Sequence, residues 1–345
     1  MKKHRQSMEK RFKSSKAPMW LPYLQSIEHV TGDTFRFTYN GGVEETSLKS
    51  ISSIMLYGEY GQLDTRLIEQ ICLSGVPIVI HKRNIPSPII ISSGTRRDQR
   101  NTLEMQIIKR ANGHSQRHIV RKILAAKFYS MRWLCPELPS LDKQMSIKEM
   151  RLIEAHYSKK YWASYFKELG LKGLSRRSDG KVKNALDAAS KFLSGLLLRW
   201  ITYHHLSPFH GFLHQGTDYP SLVYDLIEPY RGEFDRIALG ALLSINDPNN
   251  NTASIGIVIN EIKKALDEHV YTGLTRQIVT RHELFHGVVL ALKSYLMENT
   301  RRFMVPTIDK PNGGRPRKIP FRLYGRQAGR TDFWKEARLV SGDLE

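Results

Sequence analysis

The sequence predicts an α+β protein: a small β-rich N-terminal domain (residues 1–94), a larger α-helical domain (95–300) and a basic C-terminal arm (301–345). Two observations carry the fold class. Up to about residue 94, short runs of β-branched and aromatic residues alternate with turn residues. Beyond it, apolar residues recur at helical spacing. A third observation is charge: 53 Lys and Arg stand against 33 Asp and Glu, a formal net charge of +20.

Thr34 to Tyr39 alternates as a strand does, and Asn40-Gly41-Gly42 supplies a hairpin turn. Val43 to Leu48 and Ile51 to Tyr57 read as further strands. Asp64 to Leu73 reads as a short helix with Leu67, Ile68 and Ile71 inward. Val76 to Ile80 and Ile89 to Ile91 return as strands around a Pro86-Ser87-Pro88 loop. Chemically suggestive clusters are few here, so this part reads as a platform suited to dimerisation. Thr95 to Leu134 then carries ten Lys/Arg against Asp98 and Glu104, with Leu103, Ile107, Ile108, Ile119, Ile123 and Leu124 at helical spacing. Such one-sided charge favours phosphate contact. Further helices are expected at about 147–169, 183–206, 221–245, 251–271 and 276–302, with a break at Asp247-Pro248-Asn249-Asn250-Asn251. Arg301 to Lys335 reads as a loop-like arm with ten Lys/Arg and two acids. A flexible arm of that kind can follow a nucleic-acid backbone, and Phe321, Tyr324, Phe333 and Trp334 weigh against a merely solubilising tail.

A surplus of this size repels itself in the compact state, and a polyanion relieves it: nucleic acid first, an anionic membrane second. The two cysteines, Cys72 and Cys135, exclude a disulfide framework and Cys-based zinc fingers, and fit a reducing cytosol. Met1 to Lys16 holds seven Lys/Arg with no apolar signal stretch behind it. The longest apolar run, Phe192 to Tyr203, is interrupted by Ser194 and Arg199. It falls well short of the roughly 20 residues a bilayer span needs, so no membrane segment is expected.

Three segments point to chemistry. On a helix, Glu154 shares a face with Met150, Tyr157, Tyr161 and Tyr165, so this carboxylate belongs to the face that should be buried. A buried acid needs a cation, either an Arg partner or a metal. His214 stands between Gly211 and Gly216, where the backbone can turn tightly and another chain can approach. His204, His205 and His210 lie just upstream at what reads as a helix end. In Ser221 to Arg231, Asp225 and Glu228 are i,i+3 neighbours that resist joint ionisation unless a cation neutralises them. Pro229 requires the helix to kink or begin there. A Glu, a His and a second carboxylate suit Mg²⁺ or Mn²⁺ with positions left open for phosphate and water.

Ile153-Glu154-Ala155 followed by Tyr161-Trp162, then Asn184-Ala185-Leu186, then Gly211 to Gly216, then Asp225 to Arg231 are similar in order and spacing to the CRISPR-associated integrase family, the catalytic subunit of spacer acquisition. The resemblance runs to roughly residue 300. It implies that the helical domain is catalytic and that Glu154, His214 and Glu228 bind the metal, with Asp225 in a supporting role. The implied reaction is transesterification, in which a 3′-hydroxyl of double-stranded DNA attacks a phosphodiester of a target DNA. It also implies a cytoplasmic prokaryotic homodimer, working with or without the family's small non-catalytic partner subunit. Arg176, Arg177, Lys181, Lys183 and Arg231 lie near these motifs and are candidates for holding phosphate. Arg315, Arg317, Lys318, Arg322 and Arg326 are expected to contact DNA from the arm. The basic stretch Arg176 to Lys183 and the long basic tail depart from the family's usual pattern. Casposases, transposon-encoded relatives, share the catalytic set and carry additional C-terminal DNA-binding sequence.

His282-Glu283-Leu284-Phe285-His286 competes, because H-E-x-x-H is the helical zinc-peptidase pattern, with Glu298 as a conceivable third ligand. Its helix carries an ordinary packing stripe at Val288, Leu290, Leu292 and Leu296, and a peptidase leaves the charge and Glu154 unexplained. A non-catalytic DNA-binding protein explains the charge but leaves the carboxylates idle.

Overall fold

The computed structural model describes residues 17–58, 63–81, 88–92, 101–176, 178, 180–245, 251–309 and 316–328. A β-rich N-terminal region is followed by a helical one, the α+β class expected. The described residues fall into two compact units, each assembled from two stretches of chain: one within residues 1–110 and 187–225, the other within 111–186 and 226–345.

In the first unit, β1 (Ala17–Pro22), β5 (Ile51–Tyr57), β6 (Ile78–His81) and β7 (Ile89–Ile91) form one sheet in that order. The first three run parallel and β7 returns antiparallel. The strands β2 (Ser26–Thr31), β3 (Thr34–Tyr39) and β4 (Gly42–Ser47) form an antiparallel meander. Phe35 and Phe37, alternate residues of β3, enter one core with Met19, Leu21, Ile54, Ile78 and Ile71 of α1 (Thr65–Leu73). Asp64 caps α1 by accepting from the Arg66 N–H. Nearly all of β5 is buried, as a central strand covered on both faces should be. This unit also holds α2 (Thr102–Ala111) up to Arg110 and the part of α5 (Lys181–Tyr203) from Asp187. Buried Arg199 of α5 donates to the Ile51 and Ser52 carbonyls, and Gly195 lies so close to Ser53 and Met55 that a Cβ would collide.

In the second unit, Asn112 caps α3 (Gly113–Met131), and Ser146 with Glu149 forms a reciprocal capping box on α4 (Ile147–Glu168). The face read from the sequence is the buried one: Met150, Tyr157, Tyr161 and Tyr165 all point inward. As Pro229 requires, the expected helix at 221–245 divides. α6 (Ser221–Ile227) gives way to a 3₁₀ turn at Glu228–Tyr230, and α7 (Arg231–Leu243) follows. Gly232 lies directly on the backbone of Ser130 and Met131, leaving no room for a Cβ, and so seats α7 on α3.

Two expectations are corrected. The helices at 251–271 and 276–302 are shorter, α8 (Asn251–Asp267) and α9 (Arg281–Leu296), because β8 (His269–Thr272) and β9 (Gln277–Thr280) form a hairpin between them. The β-branched and aromatic residues Val270, Tyr271, Ile278 and Val279 favour extended backbone and are buried there. The described part of the basic tail is also no flexible arm. β10 (Gly325–Gln327) pairs with β9, Leu323 is buried, and the Arg317 N–H donates to the Leu274 carbonyl. Among the described residues, no helix is long and apolar enough to cross a membrane.

Candidate active site

Glu154 and Glu228 belong to the second unit, and His214 and Asp225 to the first. Each pair has its own architecture.

Glu154 projects from the buried face of α4, and Glu228 opens the 3₁₀ turn ahead of α7. Between them lies Lys127 of α3, whose Nζ is 2.5 Å from Glu154 Oε1 and 2.6 Å from Glu228 Oε2. Burial works against the ammonium charge, but attraction to Glu228 and Glu154 outweighs it and holds the lysine above its ordinary pKa. Ser158 adds a hydrogen bond to Glu154 at 3.2 Å, and Arg231 Nη2 lies 3.1 Å from Glu228 Oε1. Arg231, which the sequence made a phosphate candidate, is thus engaged with Glu228. Burial pushes the nearby Asp235 carboxyl up to about 6 despite the pull of Arg231 and Arg176. Lys127 is the residue that sequence reasoning missed. It was one of ten basic residues in its stretch, and only the packing of α3 against the 3₁₀ turn reveals that it is buried.

Asp225 is fully buried, and its carboxylate gathers the loop that carries His214. It accepts the backbone N–H groups of Phe212 (2.5 Å), Leu213 (3.0 Å) and His214 (2.9 Å), and the His214 ring through Nδ1 at 2.8 Å. An ionised carboxylate can only accept, so Nδ1 carries a proton, and in the neutral form of the ring the lone pair is on Nε2. Gly211 explains the loop's sequence. A Cβ there would meet the His214 carbonyl, Ser221 and Asp225. From α2, Gln106 binds Ser207 and His210, while Arg110 donates to the Gly211 and Gln215 carbonyls at 2.8 Å each. Gln106 and Arg110 were also missed as loop supports, since nothing in their local sequence distinguishes them.

Two carboxylates converging on one buried ammonium define a point that suits a cation, and hard oxygen donors with an imidazole are the donor set of Mg²⁺ or Mn²⁺. The residues therefore fit the metal in chemistry. Among the described residues, however, no group of three or more His, Cys, Asp and Glu side chains is gathered as a metal site.

The remaining candidates are dispersed. Arg176 lies over the Trp162 ring at 5.5 Å. Lys183 is half-buried on α5, and Arg317, Lys318, Arg322 and Arg326 are exposed on the tail. Arg177, Arg315 and the Lys181 side chain lie outside the described residues. The H-E-x-x-H residues are buried within α9. Glu283 accepts the Tyr324 N–H at 2.9 Å, so it fastens the tail, and burial raises its pKa to about 8.

A family model for CRISPR associated protein Cas1 matches residues 25–140 and 136–246, and the chain belongs to that family. Among curated protein sequences, none matches the chain. Solved structures with the same fold include a casposase bound to an integration product (TM-score 0.67, 20% identity, covering 94% of this chain and 99% of that one). A Cas1 protein from Thermotoga maritima superposes with a TM-score of 0.67 at 16% identity, over 84% of this chain and 98% of that one. A chain of a Cas6-RT-Cas1–Cas2 complex gives a TM-score of 0.65 at 13% identity, over 86% of this chain and 36% of that one. At these identities the likeness establishes the fold.

Proposed function

We propose that this chain is a metal-dependent DNA integrase and endonuclease that joins DNA 3′-hydroxyl ends into target DNA by transesterification, as in spacer acquisition. The observation that carries the reading is the convergence of Glu154 and Glu228 on one buried cation, in a chain of the Cas1 family. Glu154, Glu228 and His214 would hold Mg²⁺ or Mn²⁺. When bound, the metal supplies Lewis-acid stabilisation of the charge that develops on the phosphate. Asp225 sets the His214 tautomer so that Nε2 is the ligand atom. Lys127 holds the two carboxylates close together, and Arg231 fixes the rotamer of Glu228. Exposed cations of the tail bind the DNA backbone.

The reading includes a homodimer in a prokaryotic cytoplasm, and a small partner subunit is supported by the complex with Cas2 among the similar structures. A transposon integrase with the same chemistry is the second reading. It is favoured by the casposase likeness, which spans 94% of this chain against 84% for the Thermotoga protein. The test is incubation of a short duplex bearing free 3′-hydroxyls with supercoiled plasmid, in Mn²⁺ and in EDTA. Joined product in Mn²⁺ alone, abolished by Glu154→Ala and by His214→Ala, is expected. Product that survives both substitutions would refute the site.

A further inference from the structure

Residues 207–215, the approach to His214 and the loop around it, lie in neither helix nor strand, so their main-chain groups need partners from elsewhere. The N–H groups turn to α6: Gly211 donates to the Ser221 hydroxyl, and Phe212, Leu213 and His214 donate to Asp225. The carbonyls of Ser207, His210, Gly211 and Gln215 turn instead to α2. Thr102, Gln106 and Arg110 follow one another at i, i+4 and i+8 on one face of that helix, and the first two are fully buried. Gln106 serves the carbonyls upstream of the imidazole. Arg110 serves the two that bracket it, donating from Nε to Gly211 and from Nη2 to Gln215 at 2.8 Å each.

The bracket has a mechanical consequence, because a peptide group is a rigid plane. The Gly211 carbonyl and the Phe212 N–H belong to the same plane. Arg110 holds its oxygen and Asp225 holds its nitrogen at 2.5 Å, so the peptide dipole lies between a cation and an anion. Turning the plane loses both bonds together. At the far end of the span the Gln215 carbonyl sits on the same guanidinium, whose donors have a fixed spacing. Both ends of 211–215 are therefore tied to one planar fork, with His214 between them. Asp225 cannot do this work, since an ionised carboxylate accepts and cannot hold a carbonyl.

We propose that Arg110 is a positioning residue for His214: by clamping the carbonyls on either side of the imidazole it sets where Nε2 points, and so sets the affinity for the divalent cation. Arg110 acts through the loop and is not itself a ligand. The proposal rests on the reading of His214 as a metal ligand. A site of that kind needs its ligands held within about 0.5 Å and 10–20°, a tolerance that a loop tethered on its amide side alone exceeds.

The test is Mn²⁺ binding by the full chain without DNA, read from the electron paramagnetic resonance signal of free Mn²⁺. The cycle comprises the parent, Arg110→Ala, His214→Ala and the double variant. Arg110→Ala should weaken binding about tenfold, the lower end of the 10–100-fold effect of outer partners on metal ligands. In the His214→Ala background the same change should have no further effect, because the clamp then has no ligand to aim. Arg110→Lys keeps the charge but not the fork, so it should lose most of what Arg110→Ala loses, and methylguanidinium should restore binding to Arg110→Ala. If the alanine chain does not fold, the lysine chain carries the same cycle. Equal weakening with and without His214 means a merely structural arginine and overturns the proposal. Parental affinity in Arg110→Ala or in Arg110→Lys overturns it as well. A parent chain that does not bind Mn²⁺, or a His214→Ala chain that binds as the parent does, overturns the metal reading itself and the role of Arg110 with it. The two failures are thus told apart by the parent and His214→Ala arms.

Discussion

Replacing Lys127 with methionine removes the ammonium between Glu154 and Glu228 while keeping most of the volume of its stem. Both carboxylates then face each other, with Arg231 left on Glu228 alone. Removing one partner of a buried ionic cluster costs about 3–5 kcal/mol, because the remaining charge stays desolvated. For a unit of this size, each kcal/mol lowers the melting temperature by about 2–4 °C, so a fall of roughly 6–20 °C is expected in EDTA. Differential scanning calorimetry measures it. Adding Glu154→Gln to the Lys127→Met chain should recover part of the loss, since it removes one of the stranded charges. In the parent chain the same Glu154→Gln change should destabilise. That reversal of sign is the signature of direct coupling. Mn²⁺ should raise the melting temperature of Lys127→Met more than that of the parent, because a divalent cation supplies the missing charge. A Lys127→Met chain that melts within about 1 °C of the parent would refute the reasoning, since an ionic cluster worth nothing cannot be the organising feature of the site.

Asp225→Ala should strip three backbone N–H groups of a charged acceptor worth about 1.5–3 kcal/mol each. Hydrogen exchange of the 211–214 amides should then quicken by at least about tenfold, and unchanged exchange would mean that the loop is held by something else. Glu283 predicts a pH dependence. Its folded pKa of about 8 lies above the ordinary 4.5, so between those values the native state binds the extra proton. The stability that this proton provides is complete below about 4.5 and lost as pH rises through about 8. Melting followed from pH 5 to 9 should therefore fall more steeply in the parent than in Glu283→Gln, and parallel curves would contradict the assignment. Neutralising Arg317, Lys318, Arg322 and Arg326 together should flatten the salt dependence of duplex binding by up to about 0.9 per lost phosphate contact. An unchanged slope would make the tail an ordinary solvated surface.

Where local pattern decides structure, the sequence was legible. The alternation in Thr34 to Tyr39 and the turn at Asn40-Gly41-Gly42 became β3 and its hairpin. The tyrosine face of α4 is the buried one, although Glu154, expected to be buried with it, is only half-buried, and Pro229 marked the break at Glu228. Asp225 makes four hydrogen bonds around His214, a fastening that its sequence position beside Glu228 did not disclose. What escaped was set by tertiary contact. Lys127 carries no local mark of burial, and Gln106 and Arg110 act on a loop about a hundred residues away in sequence. The β8–β9 hairpin was absorbed into helices because its strands have only four residues each, too few for a periodic signal to emerge. β10 is shorter still and exists through its pairing with β9.

The central claim is that a DNA 3′-hydroxyl is the nucleophile of a reaction run on Glu154, Glu228 and His214. The most direct measurement compares duplexes ending in a 3′-hydroxyl and in a 3′-dideoxy nucleotide for covalent joining to plasmid in Mn²⁺, with product junctions sequenced. The account predicts junctions from the hydroxyl ends only, lost in Glu154→Ala and retained in His282→Ala. Junctions formed from dideoxy ends, or formed equally well without Glu154, would contradict it.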